Sequence, residues 1–249
     1  MVIWVKKIYI LIFIITIISC LFIYKSNYKK NKEQVINDII PVNKEIENIP
    51  YDPIVYIYNT HQKETYADIG VNFNPTVLDA SYTLRDYLEE LNIQTYVENS
   101  DFYDFLALNN WDYNNLYKVS RVYLLDAMKR YKNIKLFIDL HRDSIKHDIA
   151  TKTIDNEDYA KVLFVVGLSH DDYKKNLKVA KELNALITKK IGISRGILQK
   201  SNANSNGIYN QDLGSNVILI EVGGYQSKYS EVDNTLKILA SIIKEYLNG

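Results

Sequence analysis

Cysteine occurs once in the 249 residues, as Cys20. No intrachain disulfide can form, and a thiolate metal cluster is excluded. Any metal site must therefore draw on histidine, aspartate and glutamate, and there are only four histidines. An excess of charge of either sign is also missing. Lys+Arg and Asp+Glu stand at 30 each, and from Tyr51 onward the count is 23 basic against 26 acidic residues. Nucleic-acid binding calls for a clustered basic face, so no nucleic-acid partner is expected. The chain also has no GxSxG elbow, no GxxxxGK[ST] loop and no GxGxxG fingerprint. Hydrolysis by an activated serine, nucleotide binding by a phosphate loop and dinucleotide binding thus have no sequence support.

A hydrophobic content of 47% can fill one sizeable core, and one main domain is expected. The 21 tyrosines accompany abundant Asn, Lys and Ile, a compositional bias that assigns them no function as a group.

The N-terminus is unlike the rest. Ile8 to Tyr24 (IYILIFIITIISCLFIY) carries no charge, with Lys6 and Lys7 before it and Lys25, Lys29 and Lys30 after it. Seventeen apolar residues are at the short end of a bilayer-spanning helix, and flanking lysines can snorkel to the headgroups. Residues 1–25 are read as a membrane anchor. The alternative is lipidation at Cys20, because Ile17-Ile18-Ser19-Cys20 resembles a bacterial lipobox; the apolar run continues past it, which favours the spanning helix. Residues 26–50 are polar, contain Pro41 and Pro50, and read as a tether. Residues 51–249 form the expected domain.

There the pattern alternates. Apolar stretches at Ile54–Tyr58, Ile93–Val97, Lys135–Leu140, Val162–Val166 and Val217–Val222 read as strands. Thr76–Leu91, Asn114–Tyr131, Asp171–Ile191 and Tyr229–Leu247 have helical spacing. This predicts an α/β domain with a mainly parallel twisted sheet and helices on both faces. Ligands in such sheets sit beyond the carboxyl ends of the strands. Three strand ends deliver polar residues there: His61 and Glu64 after the first, His141 to Asp143 after LFIDL, and Glu221 within VILIEVGG.

Imidazole and carboxylate are the donors zinc accepts where no thiolate is present, and catalytic sites use three of them. His61, Glu64 and His141 make such a set. Glu221 would be the free carboxylate that takes a proton from the attacking water and hands it to the leaving group. A histidine after a strand is more often an ordinary loop residue, and HxxE alone is a weak signal. His147 and His170, in charged and turn-like surroundings, are read as solvated.

The order THxxE, DLHRDS, FVVG, YNQDL and IEVGG (Thr60–Glu64, Asp139–Ser144, Phe164–Gly167, Tyr209–Leu213 and Ile220–Gly224) resembles the stage II sporulation protein P family. The resemblance covers Ile54 to the C-terminus. It implies a membrane-anchored, zinc-dependent N-acetylmuramoyl-L-alanine amidase with a fold like that of zinc cell-wall amidases. It also implies peptidoglycan as substrate, in spore engulfment or septal wall remodelling. His61, Glu64 and His141 would be zinc ligands and Glu221 the catalytic glutamate. Arg142, Asp143, Asn210, Gln211 and Asp212 would support the ligands or touch substrate. A lytic transglycosylase and a membrane scaffold protein would be partners, with the domain outside the cytoplasm. Competing readings are an endopeptidase acting on peptide crosslinks and a wall-binding domain without catalysis. One departure stands out: YQSKYSEVD separates Gly224 from Asn234-Thr235, whereas family members commonly run quickly into an Asn-Thr helix start.

Overall fold

Strand β1, Val55–Tyr58, is buried along its whole length, as its unbroken apolar run requires of a strand covered on both faces. The computed structural model describes residues 51–67, 74–201 and 206–249. The expected anchor and tether lie outside the described residues. Among the described residues, no helix is long and apolar enough to cross a membrane.

After β1 come helix α1 (Val77–Glu90), strand β2 (Thr95–Val97), helix α2 (Phe102–Leu108), a 3-10 turn at Tyr113–Asn115, helix α3 (Leu116–Arg130) and strand β3 (Leu136–Asp143). The short helix α4 (His147–Ala150) leads into a hairpin of β4 (Thr151–Ile154) and β5 (Glu157–Ala160). The chain continues with β6 (Val162–Gly167), α5 (Tyr173–Lys190), β7 (Ser194–Lys200), a 3-10 turn at Gln211–Leu213, β8 (Val217–Gly224) and α6 (Tyr229–Asn248). The described residues fall in one compact unit.

The main sheet has the order β2-β1-β3-β8-β6-β7. Strands β2, β1, β3 and β8 are parallel, as expected, but β6 runs antiparallel to β8, and β7 follows β6. The connection explains the reversal. A parallel return needs a long crossover, commonly a helix, whereas only α4 and a hairpin separate β3 from β6. The chain therefore re-enters the sheet at the end where β3 left it. One consequence is that Gly167, at the end of the FVVG motif, lies at the opposite rim from His141 and Glu221.

Strand alternation then sorts the side chains. On β3, Leu136, Ile138 and Leu140 join the larger core, which also takes residues of α1, α5 and α6. Phe137 faces the other way, with Tyr56, Tyr58, Val217 and the α3 residues Leu124 and Ala127. Asp139 and His141 share the Phe137 face by period, and on β8 Glu221 shares the face of Val217 and Leu219. The apolar part of α3 covers the lower half of that face, leaving the polar upper half at the strand ends.

Local chemistry explains the element boundaries. Thr76 and Asp79 form a reciprocal capping box that starts α1. Asp155 and Asn156, with φ of 51° and 67°, make the tight hairpin turn between β4 and β5. The stretch after Gly224 is a turn followed by α6, within which Thr235 Oγ1 donates to the Ala160 carbonyl at 2.7 Å. It thereby ties α6 to the hairpin. Gly224 itself packs against backbone: a Cβ there would overlap the Ile145 carbonyl oxygen. Gly224→Ala is therefore expected to destabilise the domain by about 1–3 kcal/mol, seen as a lower Tm in thermal unfolding. An unchanged Tm would show that this crossing is not tightly packed.

Candidate metal centre

Buried polar side chains fix the loop after β1. Asn59 Nδ2 donates to the carbonyls of Leu140 at 2.6 Å and Val77 at 3.2 Å, and its Oδ1 accepts from Ser81 Oγ at 3.0 Å. Gln62 Oε1 accepts from Phe102 N, and its Nε2 donates to the Ser100 carbonyl. Between these pins the Glu64 amide donates to the His61 carbonyl at 3.0 Å, and Val77 N at the head of α1 donates to the Glu64 carbonyl. The resulting turn puts His61 and Glu64 on one side, facing the end of β3.

Glu64 lies between two imidazoles. Its Oε1 is 3.3 Å from His61 Nδ1, and its Oε2 is 3.3 Å from His141 Nδ1. Ligand atoms of these three residues all fall within 4.8 Å of one another. Metal–donor bonds of about 2.0–2.2 Å in a tetrahedral shell place donors roughly 3.3–3.6 Å apart. The two Glu64–imidazole spacings match that range, and the donor types suit a zinc ion. Burial by itself would raise the Glu64 pKa, but hydrogen bonding and charge from His141 and His61 hold it well below the usual carboxylate range. Burial would lower that of His141, yet Asp139 and Glu64 raise it well above the ordinary imidazole value. A cation bound here displaces that proton, so its affinity rises with pH.

Behind His141 stands a carboxylate the sequence reading left unassigned. His141 Nε2 is 2.8 Å from Asp139 Oδ1, close enough for a charge contact although the N–H is not aligned as a good hydrogen bond. Asp139 is fully buried and is held in turn by Thr60, whose N and Oγ1 donate to its two oxygens at 2.8 and 2.7 Å. Ser120 Oγ of α3 lies 2.9 Å from Thr60 Oγ1 and accepts from Asn210 Nδ2 at 2.9 Å. An oriented carboxylate behind a histidine fixes its ring and tautomer for metal binding. The signal for it was the alternation Asp139-x-His141, which puts both side chains on one face of β3.

Glu221 completes the cluster. It lies opposite His141 in the β3–β8 register and opposite Leu163 of β6 on its other side. Its Oε2 is buried without a hydrogen-bond partner. Burial pushes its pKa up to about 7; His141 opposes that shift, and Glu64, Asp143 and Asp139 reinforce it.

The remaining expected residues separate. The Arg142 amide donates to Glu64 Oε2 at 3.2 Å and its Nε to the Thr65 carbonyl at 2.9 Å, so Arg142 braces the Glu64 turn. Asp143 pairs with Arg195 of β7 at 2.6 Å. Asn210 joins the Ser120 network, while Asp212 forms a two-pronged pair with Arg121. Gln211 is buried elsewhere, its Oε1 accepting from Gly167 N and its Nε2 donating to the Val165 carbonyl, which clamps β6. Of the two histidines read as solvated, His147 keeps 40% of its side chain exposed but is also paired, whereas the ring of His170 is turned inward. His147 Nε2 lies 2.7 Å from Oε1 of the buried Glu231, and both ring nitrogens of His170 are buried without partners.

The fold and site thus define an α/β protein whose parallel strand ends gather two histidines and a carboxylate beside a buried, unpartnered glutamate. The chain belongs to the stage II sporulation protein P (SpoIIP) family, whose pattern it matches over residues 23–244. It is 32% identical to the stage II sporulation protein P of Bacillus subtilis over 202 residues, 77% of this chain and 50% of that protein. It therefore spans about half the length of that curated relative. Among solved structures it is similar to the CwlD amidase from Clostridioides difficile in complex with the GerS lipoprotein. That likeness has a TM-score of 0.49 and 12% identity, and covers 78% of this chain and 98% of that one. A Neisseria meningitidis protein assigned as an N-acetylmuramoyl-L-alanine amidase matches with a TM-score of 0.41 and 14% identity, covering 78% and 96%.

Two outcomes follow from the geometry. Asp139→Asn is expected to weaken zinc binding about 10–100-fold in chelator competition, whereas Gln211→Ala lowers Tm and leaves zinc affinity unchanged. Equal metal affinities for Asp139→Asn and wild type would remove Asp139 from the site. The second outcome concerns pH. The Glu221 pKa is higher folded than unfolded, so its contribution to stability is intact below about pH 4.5 and lost as pH rises through about 7. In metal-free protein, Glu221→Gln should gain roughly 2–3 kcal/mol relative to wild type between pH 4 and pH 8 in denaturant titrations. A pH-independent difference would contradict that.

Proposed function

We propose that this protein is a zinc-dependent N-acetylmuramoyl-L-alanine amidase of peptidoglycan. The observation that carries the reading is the triad His61, Glu64 and His141, with the unpartnered Glu221 in register beside it. Membership of the SpoIIP family supports the cell wall as the place of action.

His61, Glu64 and His141 would hold the zinc, which when bound polarises the scissile carbonyl and acidifies the attacking water. The chain's own residues do the rest. Asp139 keeps the His141 ring in place and, through Thr60, ties it to α3. Glu221 accepts a proton as water oxygen adds to the carbonyl carbon, and a pKa near 7 suits a base that must later return it. As the bond between the lactyl carbonyl carbon and the L-alanine nitrogen breaks, that proton passes to the departing amine. The products are a glycan strand with a free lactyl carboxylate and a stem peptide with a free L-alanine amino group. The substrate lies in the wall, so the domain works outside the cytoplasm, tethered through the apolar segment Ile8 to Tyr24.

Purified protein with zinc, incubated with peptidoglycan, should release stem peptides carrying a new L-alanine amino terminus. Glu221→Gln should reduce this by at least about a hundredfold while zinc stoichiometry stays at one per chain. Release of muramyl-linked peptides would show that the bond cut is a peptide crosslink instead.

A further inference from the structure

The 3-10 turn before α3 carries an aromatic ring that the core does not use. Asp112 caps this turn, its Oδ1 accepting from Asn114 N at 3.0 Å and from Asn115 Nδ2 at 2.7 Å. The turn holds Tyr113 over the metal-site histidine. The two rings stack with centroids 5.3 Å apart and planes inclined by 15°. Tyr113 is nevertheless 54% exposed. A ring stacked on one face and exposed to that degree presents its other face to solvent. Beneath it, Tyr117 and His141 meet the His61 ring edge-on at 5.6 and 5.1 Å, so the platform rests on a packed base.

The surroundings point to a ligand that is apolar on its face and polar on its rim. Nearby in sequence, Lys63 Nζ lies 3.9 Å over the Tyr103 ring, and Lys118 Nζ 4.7 Å over Trp111. Two exposed lysines thus stand beside aromatic rings in the segments that flank His61 and Tyr113. A pyranose ring matches this, with axial C–H groups on one face and hydroxyl and acetamido groups around its edge. A peptide arm, with freely rotating bonds and no flat apolar face, matches it poorly.

We propose that Tyr113 is the sugar-stacking residue of the site, which seats the pyranose ring bearing the scissile lactyl amide on its solvent face. The assignment deepens the amidase reading and rests on it for the bond cut, but not for the sugar contact. It gives the cleft a direction: the glycan lies over His61 on the β1 side, and the peptide arm leaves across β8.

The test separates the two readings by measuring binding without turnover. Full-length protein carrying Glu221→Gln is titrated calorimetrically with a disaccharide pentapeptide and with the same pentapeptide lacking sugars. Binding of the muropeptide should weaken about tenfold when Tyr113→Ala is added, and recover with Tyr113→Trp. Affinity for the free peptide, and for zinc by chelator competition, should not change. Muropeptide binding that is absent, or unaffected by Tyr113→Ala, overturns the proposal. A loss equal for free peptide, or accompanied by lost zinc, also overturns it, because Tyr113 would then act only as a prop for His61. If the sugar-dependent loss appears and product analysis with the zinc-loaded protein that retains Glu221 shows no freed L-alanine amine, the platform stands and the amidase reading fails.

Discussion

One register governs the site: His141 of β3 lies opposite Glu221 of β8. Residues paired across parallel strands point to the same face, so both groups reach the half of the sheet that α3 leaves uncovered. A slip of one residue would turn either side chain into the aliphatic layer on the other face. The apolar partners on both sides forbid this. Leu140 and Ile220, one position earlier, are completely buried in the larger core. The same hydrophobic alternation that stabilises the sheet therefore aims His141 and Glu221.

Holding charged groups at that position is costly, and the structure offsets the cost with pairing. Glu64 is shared between two imidazoles, Asp139 receives two hydrogen bonds from Thr60, and Thr60 is braced by Ser120 of α3. These groups come from the loop after β1, from β3 and from α3, so the cluster locks those three elements to one another. Glu221 is the exception, with an oxygen that nothing satisfies. A buried carboxylate without a partner destabilises the fold, which is the usual mark of a group kept for chemistry.

Much of this was legible in the sequence, for physical reasons. Buried parallel strands are unbroken apolar runs, so β1, β3, β6 and β8 stand out, and amphipathic spacing marks α1, α3, α5 and α6. Strand β7 (SRGILQK) was missed because an edge strand is half solvated and its composition is mixed. The reversed direction of β6 was missed because a short hairpin does not announce which way the next strand runs, although Asp155-Asn156 did carry the turn signal. At the site, His61, Glu64, His141 and Glu221 could be picked out because polar residues at the carboxyl ends of buried apolar runs are conspicuous. Gln211 was grouped with them through its motif, yet its amide clamps β6, since a motif records neighbours in sequence rather than in space. Tyr113 was hidden among 21 tyrosines, and only its stacking on His61 distinguishes it.

His61, Glu64 and His141 are proposed to hold one zinc ion from strand ends that the sheet register sets. X-ray absorption at the zinc edge of the zinc-loaded protein tests it most directly. One zinc per chain is expected, in a four-coordinate shell of two imidazoles and light oxygen donors, with one imidazole lost in His141→Ala. No stoichiometric zinc, or a shell that is the same in His141→Ala as in wild type, would contradict it.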